Sequence, residues 1–264
     1  MPARSMSGRR VVVVGASSGI GKAIAKAALD DGASVVLAAR RQALLSEVAD
    51  SAASGTATVT SCDVSKEHGC DELVGAVKSA ISSIDLLVCA VGAAPLALLD
   101  HATDEDWATT LQTNLVGTHR LIRACLPLLA PGAIVAVLSS ENVGQARPAL
   151  GTYSASKAAL DQMVETWRAE QPRVRFVRVV VGSTIDTEFG RAFTPDLLTW
   201  ALPDWQARGL LPENALVSAD VSEAVVGALA TVLALPGVGL ESLTVRPAGR
   251  VAGTSDAPGA IKVA

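Results

Sequence analysis

Tyr153 and Lys157 have the types and the spacing of a pair that could transfer protons. Tyr153 is the only tyrosine in the sequence, and Lys157 follows it by four residues. Residues four apart lie on one face of an α-helix, so a helix here would place the ammonium beside the phenol. A neighbouring cation stabilises the phenolate and lowers the pKa of the phenol, which suits acid/base chemistry near neutral pH. The alternative is an exposed pair without a chemical role.

A glycine-rich segment near the start of the chain predicts a phosphate-binding turn. Residues 11–21 read VVVVGASSGIG, which is an apolar strand followed at once by glycines and the start of a helix. Such a turn collects backbone N–H groups and the positive end of a helix dipole at one place. We expect Gly15 to permit the tight turn, Gly19 to let the backbone approach phosphates and Gly21 to let helix pack on strand. A plain connection without a ligand is the alternative. The predicted contacts are Gly15, Ser17, Ser18, Gly19, Ile20 and Gly21.

The end of the second predicted strand indicates which dinucleotide would bind. Enzymes that use NAD place an acidic residue here to hold the ribose 2′-hydroxyl. This sequence instead has Ala38 and Ala39 followed by Arg40 and Arg41, with no carboxylate to repel a 2′-phosphate. Guanidinium groups pair well with phosphate, so the predicted cofactor is NADP(H). The alternative is that both arginines are solvated at the start of a helix.

The elements that must position these residues alternate between strand and helix. Apolar runs of strand length occur at about 10–14, 34–39, 56–61, 84–90, 132–139, 174–181 and 241–246. Segments of helical periodicity lie between them, which predicts an α/β fold: a Rossmann-like, doubly wound, seven-stranded parallel sheet with helices on both faces. We expect one domain over residues 1–264, with a loose tail at 248–264. The connection from Gly182 to Asp220 is too long for an ordinary one, and its part 188–214 is predicted to cover a substrate site. We expect this part to have an apolar inner face formed by Phe189, Phe193, Leu197, Leu198, Trp200 and Trp205.

Composition argues against several other classes of protein. The formal charge is −4, and the basic residues are scattered, so nucleic acid is not an expected partner. The apolar runs fall short of a membrane span, and we expect a cytoplasmic protein. The four cysteines lack paired C-x-x-C spacing and are predicted to be reduced, buried thiols. A metal site at Cys62, His68 and Cys70 would lack a fourth ligand at any usual spacing, so no metal is predicted.

Several separated motifs, taken in their order, resemble the short-chain dehydrogenase/reductase family. GASSGIG resembles its glycine motif, Cys62-Asp63-Val64 resembles its adenine contact, and Asn114 matches the asparagine of its long fourth helix. Ser140 ends the fifth strand, and the segment from Tyr153 to Lys157 matches the YxxxK motif at the family's spacing from that serine. The resemblance runs from about Arg10 to Pro247.

The resemblance implies a catalytic tetrad of Asn114, Ser140, Tyr153 and Lys157. Tyr153 would exchange a proton with a carbonyl or alcohol oxygen, Ser140 would hydrogen-bond that oxygen, and Lys157 would also hold the nicotinamide ribose. The Asn114 carbonyl would hold a water that links Lys157 to solvent. Further implied cofactor contacts are Arg40, Arg41, Asp63, Val64, Ala90, Val91, Gly92, Ile185 and Thr187. The implied substrate contacts are Ser140, Asn142, Tyr153 and Phe189. Relatives commonly form homotetramers, so a homotetramer, or else a homodimer, is expected.

Two segments depart from the family pattern. The fourth strand ends Cys89-Ala90-Val91-Gly92 instead of Asn-Asn-Ala-Gly, and Gly182-Ser183 replaces the usual Pro-Gly after the sixth strand. These departures leave open a catalytically weak NADP(H)-binding redox sensor or partner-binding subunit. An epimerase or dehydratase of the longer related group also has the YxxxK motif, but the C-terminal part leaves little room for a sugar-nucleotide domain.

Overall fold

The computed structural model describes residues 5–249, and a seven-stranded sheet lies at its centre. The strands are β1 (Arg10–Val14), β2 (Ser34–Ala39), β3 (Thr56–Ser61), β4 (Ile84–Cys89), β5 (Leu129–Ser140), β6 (Arg175–Val181) and β7 (Ser242–Val245). The helices are α1 (Gly19–Asp30), α2 (Gln42–Asp50), α3 (Asp71–Ala80), α4 (Asp104–Leu111), α5 (Thr118–Cys125), α6 (Gly151–Glu170), α7 (Pro195–Ala207) and α8 (Ser218–Leu233). Of the predicted tail, only residues 248 and 249 fall within the described part.

All seven strands are parallel, in the order β3-β2-β1-β4-β5-β6-β7. The valines of β1 alternate between the two apolar clusters: Val11 and Val13 join one, and Val12 and Val14 join the other. Because both faces of β1 are covered, the strand is apolar at successive positions. The chain first builds outward through β2 and β3 and then returns to the other side of β1 at β4. In open sheets of this kind, ligands bind at the carboxyl ends of the strands beside such a reversal.

The predicted fold class is confirmed, and most strand bounds lie within one residue of the prediction. β5 is the exception, because it begins at Leu129, three residues before the predicted start. Leu129 pairs with Ile84, after which the register shifts and regular pairing resumes further along. Gly132 has φ +76°, so the segment around it is an irregularity inside the strand instead of its boundary.

A π-helical segment, Gln112–Gly117, separates α4 from α5. The sequence predicts one long helix here, and helical periodicity does not reveal the wider turn. Asn114 is fully buried within it. Gly117 lies so close to the chain after β3 that a Cβ on it would come within 2.8 Å of Val64 Cγ2. Isolated π-helical turns frequently occur at functional sites.

Among residues 5–249, no helix combines the length and the apolar character needed to cross a membrane. No cluster of three or more His, Cys, Asp or Glu side chains suited to a metal ion occurs within the same residues. The four cysteines are buried free thiols.

Candidate active site

The glycine-rich turn after β1 packs closely against the chain that leaves β4. The Gly15 N–H donates to the Ala38 carbonyl at 2.8 Å, and Gly15 has φ +92°. A Cβ on Gly15 would lie 2.5 Å from the Ala90 carbonyl oxygen, and one on Gly21 would lie 2.3 Å from the Gly15 carbonyl oxygen. Side chains at positions 15 and 21 would therefore push the turn off the sheet. Glycine is required here for packing as well as for backbone conformation.

Gly15→Ala is expected to destabilise the protein more than Gly132→Ala does. Both glycines have positive φ, which costs an alanine about 1–2 kcal/mol in either place. A Cβ on Gly132 meets nothing within 4 Å, whereas one on Gly15 meets backbone. Urea unfolding should show the Gly15 variant losing about 1–3 kcal/mol more than its matched control. Equal losses in the two variants would contradict the packing role of Gly15.

Arg41 approaches the glycine-rich turn from the start of α2. Its guanidinium Nη2 donates to the hydroxyls of Ser17 and Ser18 at 3.2 and 3.0 Å. α1 begins at Gly19, directly after these serines, and its first turn has no acidic residue. Backbone N–H groups at a helix N-terminus, two hydroxyls and a guanidinium together make a donor set suited to phosphate. The residues present therefore fit the phosphates of a dinucleotide cofactor.

Arg41 also pairs with a carboxylate from a distant part of the chain. Its Nη1 lies 3.0 Å from Glu188 Oε1 and its Nη2 lies 2.7 Å from Glu188 Oε2. Glu188 is 147 residues from Arg41 in sequence, so the residues around β2 give no sign of it. The expectation that no carboxylate lies beside the arginine pair is wrong for Arg41. Arg40 is exposed.

Asp63 follows β3, and Ser65 fixes its carboxylate. The Ser65 backbone N–H and hydroxyl donate to Asp63 Oδ1 at 3.1 and 2.6 Å. Burial opposes ionisation of Asp63, but the bonds from Ser65 and the charge of Arg40 outweigh it and lower the pKa of the carboxyl. Asp63 is thus an ionised acceptor at neutral pH, which suits the adenine amino group that the family resemblance implies. Val64 follows it and is buried.

Asn114 fixes the chain that continues from β4 through Ala90, Val91 and Gly92. Its side-chain oxygen accepts from the Ala93 N–H at 2.7 Å, and its amide donates to the Ala93 carbonyl at 2.9 Å. These two bonds brace the segment that lacks the two asparagines usual in the family. The Asn114 carbonyl, which we expect to hold a water, accepts from the Thr118 hydroxyl at 2.8 Å.

Thr187 and Ile185 follow β6 and differ in their surroundings. A Cβ on Gly19 would lie 3.3 Å from Thr187 Cβ, so Thr187 lies against the glycine-rich turn. The Ile185 N–H donates to the Leu216 carbonyl at 3.0 Å, and its side chain is exposed. The structure therefore brings Thr187 to the predicted phosphate site and leaves Ile185 at the surface beside it.

Ser140, Tyr153 and Lys157 lie together where β5 ends and α6 begins. All three are buried. Lys157 Nζ is 5.9 Å from the centre of the Tyr153 ring and donates to the Leu138 carbonyl at 2.7 Å. The Asn114 amide reaches the same helix, because it donates to Ser156 Oγ at 2.9 Å. The structure thus gathers the four residues of the predicted tetrad around the start of α6.

Burial has the largest effect on the pKa values of Tyr153 and Lys157. It raises the pKa of Tyr153 to about 12, although Ser140 and the charge of Arg147 lower it. It also lowers the pKa of Lys157 to about 8. The sequence predicts a lowered pKa for the phenol, and that direction is wrong, because desolvation of the phenolate outweighs the Ser140 hydrogen bond and the charge of Arg147. Tyr153 is therefore a protonated phenol at neutral pH.

The segment predicted to cover a substrate site, 188–214, contacts Tyr153 through its first aromatic residue. The Phe189 ring lies edge-on to Tyr153, with ring centres 5.1 Å apart, and Phe193 packs against Phe189. Trp205 of α7 is buried and donates from Nε1 to the Pro148 carbonyl at 2.9 Å. Trp200 is exposed, contrary to the expectation of an inward-facing side chain. The two tryptophans are five positions apart, which turns them about 140° from each other around the helix.

Arg147 is a buried residue of the site that the sequence analysis missed. Its Nη2 donates to Glu141 Oε1 at 2.5 Å, to Ser183 Oγ at 3.0 Å and to the Leu210 carbonyl at 2.8 Å. Both side chains of the Glu141 and Arg147 ion pair are only 7% exposed. The pair joins the turn after Ser140, the segment after β6 and the end of 188–214. The one signal in the sequence is that these two ionisable residues flank an uncharged stretch, 142–146.

The Glu141 and Arg147 pair contacts two segments that the sequence analysis singled out. Asn142, a predicted substrate contact, is 2% exposed, and its side-chain oxygen accepts from Arg147. This bond fixes the Asn142 side chain within the turn. The Ser183 hydroxyl donates to Glu141 at 3.1 Å, and a Cβ at Gly182 would lie 3.0 Å from Glu141 Oε2. In place of the usual Pro-Gly, Gly182 therefore leaves space for the Glu141 side chain and Ser183 donates a hydrogen bond to it.

This chain is similar in sequence to known proteins. The profile of the family described as short chain dehydrogenase matches residues 9–197. An 11-beta-hydroxysteroid dehydrogenase A from Sesamum indicum is 37% identical over 171 residues, which are 62% of this chain and 49% of that protein. An uncharacterized oxidoreductase of Mycobacterium bovis is 34% identical over 187 residues, which are 66% of this chain and 54% of that protein. The chain thus spans about half the length of these two relatives.

Solved structures share the fold. An alcohol dehydrogenase from the archaeon Thermococcus sibiricus, complexed with 5-hydroxy-NADP, is 26% identical, with a TM-score of 0.74 over 91% of this chain and 97% of that one. A short-chain type dehydrogenase/reductase from Mycobacterium marinum has a TM-score of 0.79 at 22% identity, over 92% of this chain and 96% of that one. This second likeness shows the fold alone. Because the family profile covers well over half of its residues, this protein belongs to the short-chain dehydrogenase/reductase family, an oxidoreductase family that uses NAD(P) cofactors.

Proposed function

We propose that this protein is an NADP(H)-dependent oxidoreductase that interconverts a ketone or aldehyde and an alcohol, with Tyr153 as the acid/base. The observation that carries the proposal is the burial of the Tyr153 side chain beside Ser140 and Lys157. When bound, the cofactor supplies or accepts the hydride. The protein therefore has to orient the carbonyl, move one proton and exclude water.

Tyr153 and Ser140 act on the reacting oxygen. In the reductive direction, the Tyr153 phenol donates its proton to the carbonyl oxygen as the alcohol forms; in the oxidative direction, the phenolate removes it. Ser140 Oγ accepts from the Asn142 N–H at 3.2 Å, so the serine hydroxyl proton is available for the same substrate oxygen. Two donors at one oxygen stabilise the negative charge that develops there.

Lys157 and Asn114 hold this arrangement in place. One Lys157 N–H is committed to the Leu138 carbonyl, and we assign the others to the nicotinamide ribose hydroxyls. Asn114 fixes α6 through Ser156, whose hydroxyl in turn donates to the Tyr153 carbonyl at 2.7 Å. Neither residue needs to touch the substrate.

The surroundings of Tyr153 favour an apolar carbonyl substrate. Phe189 lies edge-on to the Tyr153 ring, and Phe193 packs against Phe189. The apolar cluster around Tyr153 also includes residues of α7. Glu141 and Asn142 are engaged by Arg147, so they do not offer the substrate a polar contact. We infer a ketone or secondary alcohol of moderate size whose binding energy comes mainly from apolar surface.

The choice of NADP(H) rests on the donor set for a 2′-phosphate. Ser17, Ser18 and Arg41 are already joined by hydrogen bonds, and Arg40 adds a second positive charge. The Thermococcus sibiricus relative is complexed with an NADP derivative.

We also infer one domain over residues 1–264, a homotetramer or homodimer, and a location in the cytoplasm. Light scattering would measure the assembly.

Arg41→Met is expected to weaken NADPH binding selectively. Loss of a charge-assisted bond to the 2′-phosphate should raise the Kd for NADPH about 10- to 100-fold, because such bonds contribute about 1.5–3 kcal/mol. The Kd for NADH should change by less than about threefold. Nicotinamide fluorescence titration measures both, and Arg208→Met, which removes an exposed arginine paired with Asp204, is the control. An equal loss for both cofactors would argue against a 2′-phosphate site at Arg41.

The reaction itself is tested by following NADPH oxidation with a panel of apolar ketones and aldehydes. Turnover that depends on Tyr153 is the expected result. Tight NADPH binding without turnover on any carbonyl would favour the redox sensor. Chemical change of a substrate without net NADPH consumption would favour an epimerase or dehydratase.

A further inference from the structure

The Arg41 guanidinium already holds an anion. Its two Nη atoms contact the two carboxylate oxygens of Glu188 at 3.0 and 2.7 Å, while Nη2 also contacts the hydroxyls of Ser17 and Ser18. A guanidinium presents a planar pair of N–H groups that recognises two carboxylate oxygens or two phosphate oxygens equally well. Glu188 therefore uses the same donors that a 2′-phosphate would use.

Glu188 carries a negative charge and can move away from Arg41. The hydrogen bond from Arg41 holds the pKa of the Glu188 carboxyl below its usual range, so the side chain is a carboxylate at neutral pH. Its side chain is 43% exposed, and Arg191 Nη1 lies 3.6 Å from Glu188 Oε2 in the same segment. When another anion binds Arg41, solvent and Arg191 can therefore stabilise the Glu188 carboxylate.

We propose that Glu188 is a specificity-determining residue that competes with the cofactor 2′-phosphate for Arg41, Ser17 and Ser18. The inference rests on the NADP(H) site of the proposed function. NADP(H) has to displace the carboxylate, since two anions cannot share one guanidinium without repulsion. NAD(H) has no 2′-phosphate and leaves the ion pair intact. Glu188 therefore lowers the preference of the protein for NADP(H) over NAD(H) below what the arginine pair alone would give.

The test compares cofactor binding to the wild type and to Glu188→Gln. The glutamine keeps the size of the side chain and removes its charge. We expect Kd for NADPH to fall about tenfold and Kd for NADH to change by less than about twofold, as measured by fluorescence titration. Adenosine 2′-monophosphate should also bind more tightly to the variant, whereas adenosine 5′-monophosphate should not, which isolates the 2′-phosphate.

Two further variants separate competition from general charge effects. Glu223→Gln removes an exposed carboxylate on α8 and should leave all four dissociation constants unchanged. In the Arg41→Met background, Glu188→Gln should tighten NADPH by less than about threefold, because the contested guanidinium is gone and only the repulsion between the two anions is relieved.

The outcomes distinguish this inference from the proposed function. If Glu188→Gln weakens NADPH or leaves it unchanged while the wild type binds NADPH well, the competition is overturned and the NADP(H) site stands. A weakened variant would mean that Glu188 closes over the bound cofactor. If neither the wild type nor the variant binds NADPH or NADH, the proposed function itself fails.

Discussion

Tyr153→Phe is expected to lower the rate of carbonyl reduction by about 10²- to 10⁴-fold, the usual contribution of a positioned general acid. Phenylalanine keeps the ring that packs edge-on against Phe189 and removes the hydroxyl that carries the proton. Ser140 is a poor substitute, because a serine hydroxyl is far less acidic than a phenol. The loss should appear in kcat, since proton transfer occurs in the transition state and not in substrate binding.

The Kd for NADPH shows whether the loss of rate is confined to the proton transfer. NADPH should bind Tyr153→Phe with a Kd within about threefold of the wild type, since Lys157 and the glycine-rich turn are unchanged. Trp200→Phe, which alters an exposed aromatic residue of α7, should keep wild-type rates and serves as the control. Reduction by Tyr153→Phe within about tenfold of the wild-type rate would assign the proton to another group.

The fold followed from the sequence because its signals are local. The valines of β1 and the glycines after them lie within eleven consecutive residues, and each position is explained by its own surroundings. Buried parallel strands have to be apolar on both faces, which makes their positions visible in one dimension. β5 was misplaced at its start because the pairing of Leu129 depends on β4, a strand far away in the chain.

The proximity of Ser140, Tyr153 and Lys157 was also predictable, since the three residues have fixed spacings on one strand and one helix. The contacts of the charged side chains around these residues were not predictable. Glu188 reaches Arg41 across 147 residues, and Arg147 reaches the Leu210 carbonyl across 63, so nothing local marks either contact. The pKa of Tyr153 was predicted in the wrong direction for a related reason: a sequence shows the neighbouring cation but not the depth of burial.

Arg147→Met is expected to be among the most destabilising substitutions outside the apolar core. The Glu141 and Arg147 side chains are each 7% exposed and joined at 2.5 Å. Removing the arginine leaves a buried carboxylate without its main partner, which costs about 3–5 kcal/mol of unfolding free energy. The Leu210 carbonyl and Ser183 lose their donor as well. Urea unfolding at neutral pH measures the loss, and Arg208→Met, whose exposed ion pair is worth at most about 1 kcal/mol, is the control.

The double variant Glu141→Leu/Arg147→Met identifies the cause of that loss. If the cost comes from the uncompensated carboxylate, replacing both partners by apolar side chains should restore at least about half of the stability, because a buried ion pair and a packed apolar pair are often nearly equivalent. Additive losses would mean instead that Arg147 acts through the Leu210 carbonyl, by tying 188–214 to the turn after Ser140. Since that turn leads directly from Ser140 to the helix that carries Tyr153, restored stability without restored turnover would show that the arginine positions the catalytic side chains as well as neutralising the glutamate.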